Sequence, residues 1–382
     1  MCGNWCASIR EGTCLESNMK ITFKKTAIAL ATVATLGVST TATANEVRFY
    51  NWSDYIAEDT IEKFTAATGI DVIYDMFDSN EVLEAKVLTG QSGYDLVVPT
   101  SDFMARQIEA GAYQKLDKSK IPNYKNLDPK VLASLDSFDP GAQYSVPYLW
   151  GTTGIGYNVE KVAERLGEDF DTVTWDMVFD PKVVSKLADC GVTMLDAPSE
   201  IYLSALVYLG LDPYTRDTAD FDKATDLLKS VRKHITYFHS SNYITDLANG
   251  DICVAVGWSG DIFMAALRAE EAENGNEIAY VIPKEGALLW SDMLVIPASA
   301  SNVDEAHAMI NFILDAQIGA DITNYVWYAS PNKAAREFID PEVLEHPGIF
   351  PGEETRLITN QVRPKKIDRV ITRGWTKVKS GS

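Results

Sequence analysis

The sequence is short of the residues that most enzyme sites need. It has four histidines in 382 residues, His234, His239, His307 and His346. None stands in an H-E-x-x-H helix or in a Cys/His cluster with zinc spacing, which removes the common metal-hydrolase patterns. A Walker A loop is missing, so the phosphate cradle of P-loop enzymes is excluded. Gly154-Ile155-Gly156 starts a G-x-G but lacks the third glycine of a dinucleotide fingerprint. Gly257-Trp258-Ser259-Gly260 approaches a nucleophile elbow, but Asp261 stands where the last glycine is needed. The histidines therefore read as structural, and neither a cofactor nor a metal is expected. Beyond the leader, the sequence has no apolar run approaching the ~18 residues that a membrane-spanning helix needs. It also lacks polar low-complexity tracts and short-period repeats.

What is present begins with an export signal. Lys20, Lys24 and Lys25 form a basic segment, Thr26 to Val38 is apolar, and Ala42-Thr43-Ala44 is an A-x-A cleavage site. Met19 reads as the start, residues 1–18 as an extension foreign to the signal, and Asn45 as the first residue of the exported chain. Three of the five cysteines, Cys2, Cys6 and Cys14, fall in that extension. The remaining pair, Cys190 and Cys253, suits a disulfide in an oxidising compartment, which would contribute about 4 kcal/mol in the chain-entropy model; two buried free thiols are the alternative.

The formal net charge is -20. A field of that sign repels nucleic acid and anionic lipid and attracts cations, so a nucleic-acid partner is not expected. The length exceeds one ordinary domain and implies two lobes with sizeable cores. Val47–Trp52, Ile70–Phe77 and Tyr94–Pro99 read as strands, alternating with helical stretches at 59–68, 79–88 and 102–110. The pattern returns at Val192–Leu195 and Ile252–Val256, with helices at 200–209, 221–232 and 303–314. Two strand-like runs between Ala279 and Ile296 are broken by Pro283 and Gly286. Strands alternating with helices imply βαβ units and parallel sheets, with ligands at the C-terminal strand ends.

Aromatic and acidic residues gather at those ends. Trp52-Ser53-Asp54-Tyr55 follows the first strand, and Thr100-Ser101-Asp102-Phe103 the third. Asp196 and Glu200 follow a strand of the second lobe, and Trp258 and Asp261 another. Trp290-Ser291-Asp292 and Trp327-Tyr328 come later. A buried ammonium needs a carboxylate partner, while aromatic faces attract cations and pack against methylenes. A slender organic polycation requires that mixture. Taken singly, each acid could be a helix N-cap and each ring a core residue; their recurrence at strand ends points to a site.

At these residues the chain resembles the periplasmic putrescine- and spermidine-binding proteins of polyamine ABC transporters. The stretches that carry the likeness are Tyr50-Asn51-Trp52-Ser53-Asp54-Tyr55-Ile56-Ala57, Asp95-Leu96-Val97-Val98-Pro99, Gly151-Thr152-Thr153-Gly154-Ile155-Gly156-Tyr157-Asn158, Asp246 to Cys253, and Lys366-Ile367-Asp368-Arg369. It extends from about Val47 to Ser380 and is nearest to the putrescine-preferring branch. The resemblance implies a two-lobed α/β periplasmic-binding-protein fold of type II. Each lobe would be a mostly parallel sheet flanked by helices, with the ligand cleft between them. Lobe 1 would take residues 45–149 and 292–338, lobe 2 residues 150–291 and 339–382, after a leader of 1–44. It implies an aromatic box of Trp52, Tyr55, Trp258, Trp290 and Tyr328, and polar contacts from Ser53, Asp54, Thr100, Glu200, Asp261 and Asp292. It also implies a Cys190–Cys253 disulfide, a monomer in the periplasm, and permease subunits as partners.

Trp290 stands where the putrescine-preferring branch has Phe, Asp102 where it has a small polar residue, and Asn360 where it is apolar. From these departures the site is expected to accept spermidine, with Asp102 pairing the additional ammonium. A sugar site would not need so many acids. A cationic amino acid would need an Arg or a helix N-terminus for its carboxylate, and no matching Arg stands beside the aromatic box. A hydrolase acting with paired carboxylates would need two acids at a fixed separation, which the sequence does not measure.

Overall fold

The computed structural model describes residues 45–381. The leader, its cleavage site, Met19 and the three upstream cysteines lie outside the described residues. Ten strands form the sheet: β1 (Glu46–Trp52), β2 (Asp71–Phe77), β3 (Leu96–Val97), β4 (Ser145–Asn158), β5 (Val192–Met194), β6 (Tyr237–Phe238), β7 (Val254–Trp258), β8 (Ile278–Val281), β9 (Ala287–Val295) and β10 (Leu357–Thr359). Their order is β2-β1-β3-β9-β4-β7-β5-β6, with β10 beside β9 and β8 beside β4.

The fold is the expected two-lobed α/β architecture. Its flanks are parallel, as the βαβ reading requires: β2-β1-β3 on one side, β7-β5-β6 on the other. The centre is antiparallel, because β9 and β4 run through the middle against each other and against β3 and β7. β4 is the element the sequence hid. It spans 14 residues, nearly all buried, yet Gly151, Gly154 and Gly156 lower its apparent strand propensity. Close packing explains Gly151, and Gly260 of the apparent nucleophile elbow. A Cβ at Gly151 would lie 2.9 Å from Trp290 and from Tyr328, and one at Gly260 would lie 2.5 Å from the Tyr328 ring. Both leave room for aromatic rings rather than for a phosphate or a nucleophile turn.

The flanks bury their strands to different extents. Val254, Ala255 and Val256 of β7 are all inaccessible to solvent, as a strand covered on both faces should be, whereas β1 buries Val47 and Phe49 and exposes Arg48 between them. Cys190 and Cys253 are joined in a disulfide. It clamps the start of β7 to the segment before β5, at the end of β7 opposite Trp258.

Candidate ligand-binding site

Strand ends deliver the side chains to one place. β1 ends at Trp52, β7 ends at Trp258, and Trp290 and Asp292 stand on β9. The helices Ser101–Glu109, Pro198–Tyr208 and Ser259–Glu271 begin at the same level and carry Asp102, Glu200 and Asp261 in their first turns. The N-cap positions of these helices are Thr100, Ala197 and Trp258, and none makes a side-chain cap hydrogen bond. The acids stand inside the first turn rather than at the N-cap positions, and of the three the Asp102 carboxyl is held by backbone N–H groups, its own and that of Phe103. Thr100 gives up the bond its position favours and donates instead to Asp292 Oδ1 at 2.7 Å.

These residues meet around one partly open cavity, lined by Trp52, Ser53, Tyr55, Thr100, Glu200, Trp258, Asp261, Trp290, Asp292 and Tyr328. The five rings contact one another in series. Trp52 meets Trp258 edge-on at 5.4 Å, Trp258 meets Trp290 at 6.5 Å, Trp290 meets Tyr328 at 5.4 Å, and Tyr328 meets Tyr55 at 5.0 Å. The result is a slot with aromatic walls and carboxyl groups along it.

The three acids in the wall are held by neutral donors. Asp261 accepts from the hydroxyls of Tyr243 (2.6 Å) and Tyr328 (2.7 Å). Glu200 accepts from the Thr153 hydroxyl and from the Trp258 indole N–H at 3.0 Å. Asp292 accepts from Thr100, and the Tyr55 hydroxyl stands near it without a well-formed bond. Burial pushes all three carboxyls up to about 7; the Tyr243 and Tyr328 bonds restrain Asp261, the Thr153 and Trp258 bonds Glu200, and the Thr100 bond Asp292. Neutral hydrogen bonds offset only part of the desolvation, so the cavity favours a cation that restores the charged form.

Three expected residues fall outside the cavity wall. Asp54 adopts a left-handed backbone, φ 53°, a conformation Asp tolerates better than most side chains. Its carboxylate pairs with Arg268 at 2.6 Å. Asp102 accepts from the Asn360 side-chain amide at 2.7 Å, and both are buried. Burial raises the Asp102 carboxyl, while Arg363 and Arg106 hold it down. The polar end expected of Asp102 and Asn360 is thus a carboxyl bonded to its amide neighbour with two arginines beside it. The sequence reading missed Thr153, Tyr243 and Arg268. Thr153 lies inside the Gly151–Asn158 stretch and could have been suspected; Tyr243 and Arg268 carry no local signal.

Residues 59–351 match the family model of bacterial extracellular solute-binding proteins, and the chain belongs to that family. It is 50% identical over 364 residues to the putrescine-binding periplasmic protein PotF of Escherichia coli, covering 94% of this chain and 98% of the relative. A putrescine/agmatine-binding protein of Pseudomonas aeruginosa is 42% identical over 94% of this chain and 100% of its own length. Among solved structures, the spermidine/putrescine ABC transporter substrate-binding protein PotD from Streptococcus pneumoniae superposes with a TM-score of 0.70 at 29% identity, over 88% of this chain and 99% of that one.

Proposed function

We propose that this protein is the periplasmic binding component of an ABC importer, and that it captures a linear polyamine of the putrescine and spermidine type and delivers it to permease subunits. It acts by binding and release rather than by catalysis, and as a monomer. The observation that carries the reading is the set of three buried carboxyl groups, Glu200, Asp261 and Asp292, held only by neutral partners in an aromatic slot. An uncompensated carboxylate in such a place is costly, and an alkylammonium removes that cost while its methylenes pack on the rings. The names of the relatives support the same ligand class and location.

The lobe division at 45–149 with 292–338, and 150–291 with 339–382, is part of this proposal. In its favour, two of the three boundaries, at 149/150 and 291/292, fall within the two long central strands, β4 and β9, which suits a hinge. Trp52, Tyr55 and Thr100 would then face Glu200, Trp258 and Asp261 across the cleft, and closure would complete the cavity.

Calorimetric titration of the purified exported chain tests this. Putrescine or spermidine should bind with one-to-one stoichiometry, while glucose and glutamate give no heat. Tight binding of a sugar or an acidic amino acid, with neither polyamine bound, would overturn it.

A further inference from the structure

Among the described helices, Thr60–Thr68, Asn242–Asn249 and Lys365–Ser380 end on a left-handed glycine, Gly69, Gly250 and Gly381. Glycine takes that conformation without a side-chain clash. The helix Ala316–Val326 ends instead on Trp327, at φ 56°. So bulky a side chain is rare there, and such a conformation persists only where the surroundings hold it. The Trp327 ring lies 5.7 Å from Phe263 and 6.1 Å from His346, and those two rings meet at 4.5 Å. Phe263 belongs to a second apolar cluster, apart from the main core, which Trp327 packs against. The Trp327 ring does not line the cavity, but its neighbours do: Tyr328 follows it, and Asp261 stands two residues before Phe263. The Tyr328 hydroxyl accepts from the Asp261 backbone N–H at 3.1 Å and donates to Asp261 Oδ1 at 2.7 Å. There is little slack in this arrangement. A Cβ at Gly260 would lie 2.5 Å from the Tyr328 ring, and paired backbone hydrogen bonds of 3.0 and 3.1 Å tie Ala329 to Trp150 on β4.

Resting on the polyamine reading above, we infer that Trp327 is a positioning residue for ligand capture. Its ring, braced on Phe263 and His346, fixes the path of the chain into Tyr328 and so keeps the Tyr328 hydroxyl on Asp261. The left-handed tryptophan is retained because a glycine, though easier for the backbone, would leave nothing to brace that path.

The test uses Trp327→Gly, which removes the ring at a position whose backbone favours glycine. Calorimetric titration of putrescine into the intact exported protein should show affinity reduced by about tenfold or more. Trp327→Phe, which keeps a ring against Phe263, should stay within about threefold of wild type. Tyr328→Phe identifies the route. It should weaken binding by itself, and adding Trp327→Gly to it should then cost less than about threefold more, because two residues acting through one contact are not additive. Thermal melting checks that each variant is folded; if Trp327→Gly is not, Trp327→Leu, which keeps apolar bulk in the cluster, takes its place in both backgrounds. A ring that only closed its helix would move the melting temperature and leave affinity at the wild-type value, and that result would overturn the inference. So would an undiminished loss in the Tyr328→Phe background. A wild type that binds neither putrescine nor spermidine would instead bring down the polyamine reading, so the two failures are distinguishable.

Discussion

Two groups of acids, one buried and one partly exposed around the buried Asp102, lie side by side in this protein and are solved differently. Asp102, with Glu84 and Asp368 near it, is surrounded by arginine. Arg106 forks onto Glu84 and stacks on Phe103 at 3.7 Å, and Arg363 faces Asp102 and Asp368. In the cavity, Glu200, Asp261 and Asp292 have only Thr, Tyr and Trp among their hydrogen-bond donors in the described residues, and the one cation that acts on them, Arg268 near Asp261, is itself paired with Asp54. Both groups are desolvated, yet one carries its counter-charge and the other awaits it. The lesson is that burial and negative charge do not by themselves mark a ligand contact; the polarity of the partners does.

The largest effect should come from neutralising a cavity acid. Asp292→Asn or Asp261→Asn keeps the side-chain volume and removes the charge. Affinity for the polyamine should fall by about 2–5 kcal/mol, the range for losing one partner of a buried charge pair. The unliganded Asp292→Asn variant should melt no lower than wild type, because no cation acts on the carboxyl it replaces. Calorimetry and a melting curve on one preparation decide it. Wild-type affinity in both variants would end the distinction between the two groups.

That distinction marks the limit of what the sequence could show. All ten residues of the cavity wall were named from the sequence; most end or follow a strand or open a helix, while Trp290 and Asp292 stand within β9 and Tyr328 follows a helix. The three misplaced residues were lost to features that no local pattern encodes. The backbone of Asp54 turns into the left-handed region and meets Arg268, which is distant in sequence. Asp102 meets Asn360 across 258 positions. Arg106 lies one turn beyond Asp102 on the same helix and was available to suspicion, but Arg363 was not. In the fold, the parallel flanks follow from alternating strand and helix signals. The central strand β4 was obscured because Gly151, which admits the Trp290 and Tyr328 rings, and Gly154 and Gly156, which pack on Tyr280 and Ile262, also lower its propensity.

The self-compensated group should respond in the opposite sense. Arg106→Leu removes the fork on Glu84 and one of the cations facing Asp102. Glu84 and Arg106 are partly exposed, with side-chain accessibilities of 20% and 28%, so the cost lies between a surface pair and a buried one, about 2 kcal/mol of stability. Polyamine affinity should change by no more than about threefold, or ~0.6 kcal/mol. A variant of normal stability and lost affinity would place Arg106 in the ligand machinery and undo the contrast.

The subtlest separation is by pH. The carboxyl values of Glu200, Asp261 and Asp292 rise from 4.5, 3.8 and 3.8 to about 7. An acid with a raised folded value binds its proton more tightly when folded. In the unliganded protein these groups therefore support stability fully below about pH 4, and that support is lost as the pH climbs through 7. Ligand binding runs the other way. An alkylammonium remains charged throughout this range and pairs with the ionised carboxylate, so binding below pH 7 must displace protons. The three acids titrate as a coupled set, and affinity should weaken by about tenfold per pH unit for each proton displaced. Asp102 has arginines beside it in either state of the cavity and should add little to this dependence. Titrations at pH 8, 7 and 6, each in two buffers of different ionisation enthalpy, measure both the affinity and the proton count. Net proton release should increase as the pH falls from 8 to 6, and Asp292→Asn should reduce it. An affinity flat from pH 8 to 6 with no buffer-dependent heat would mean that the cavity acids are already ionised before the ligand arrives, and the contrast with the arginine-matched group would lose its electrostatic basis.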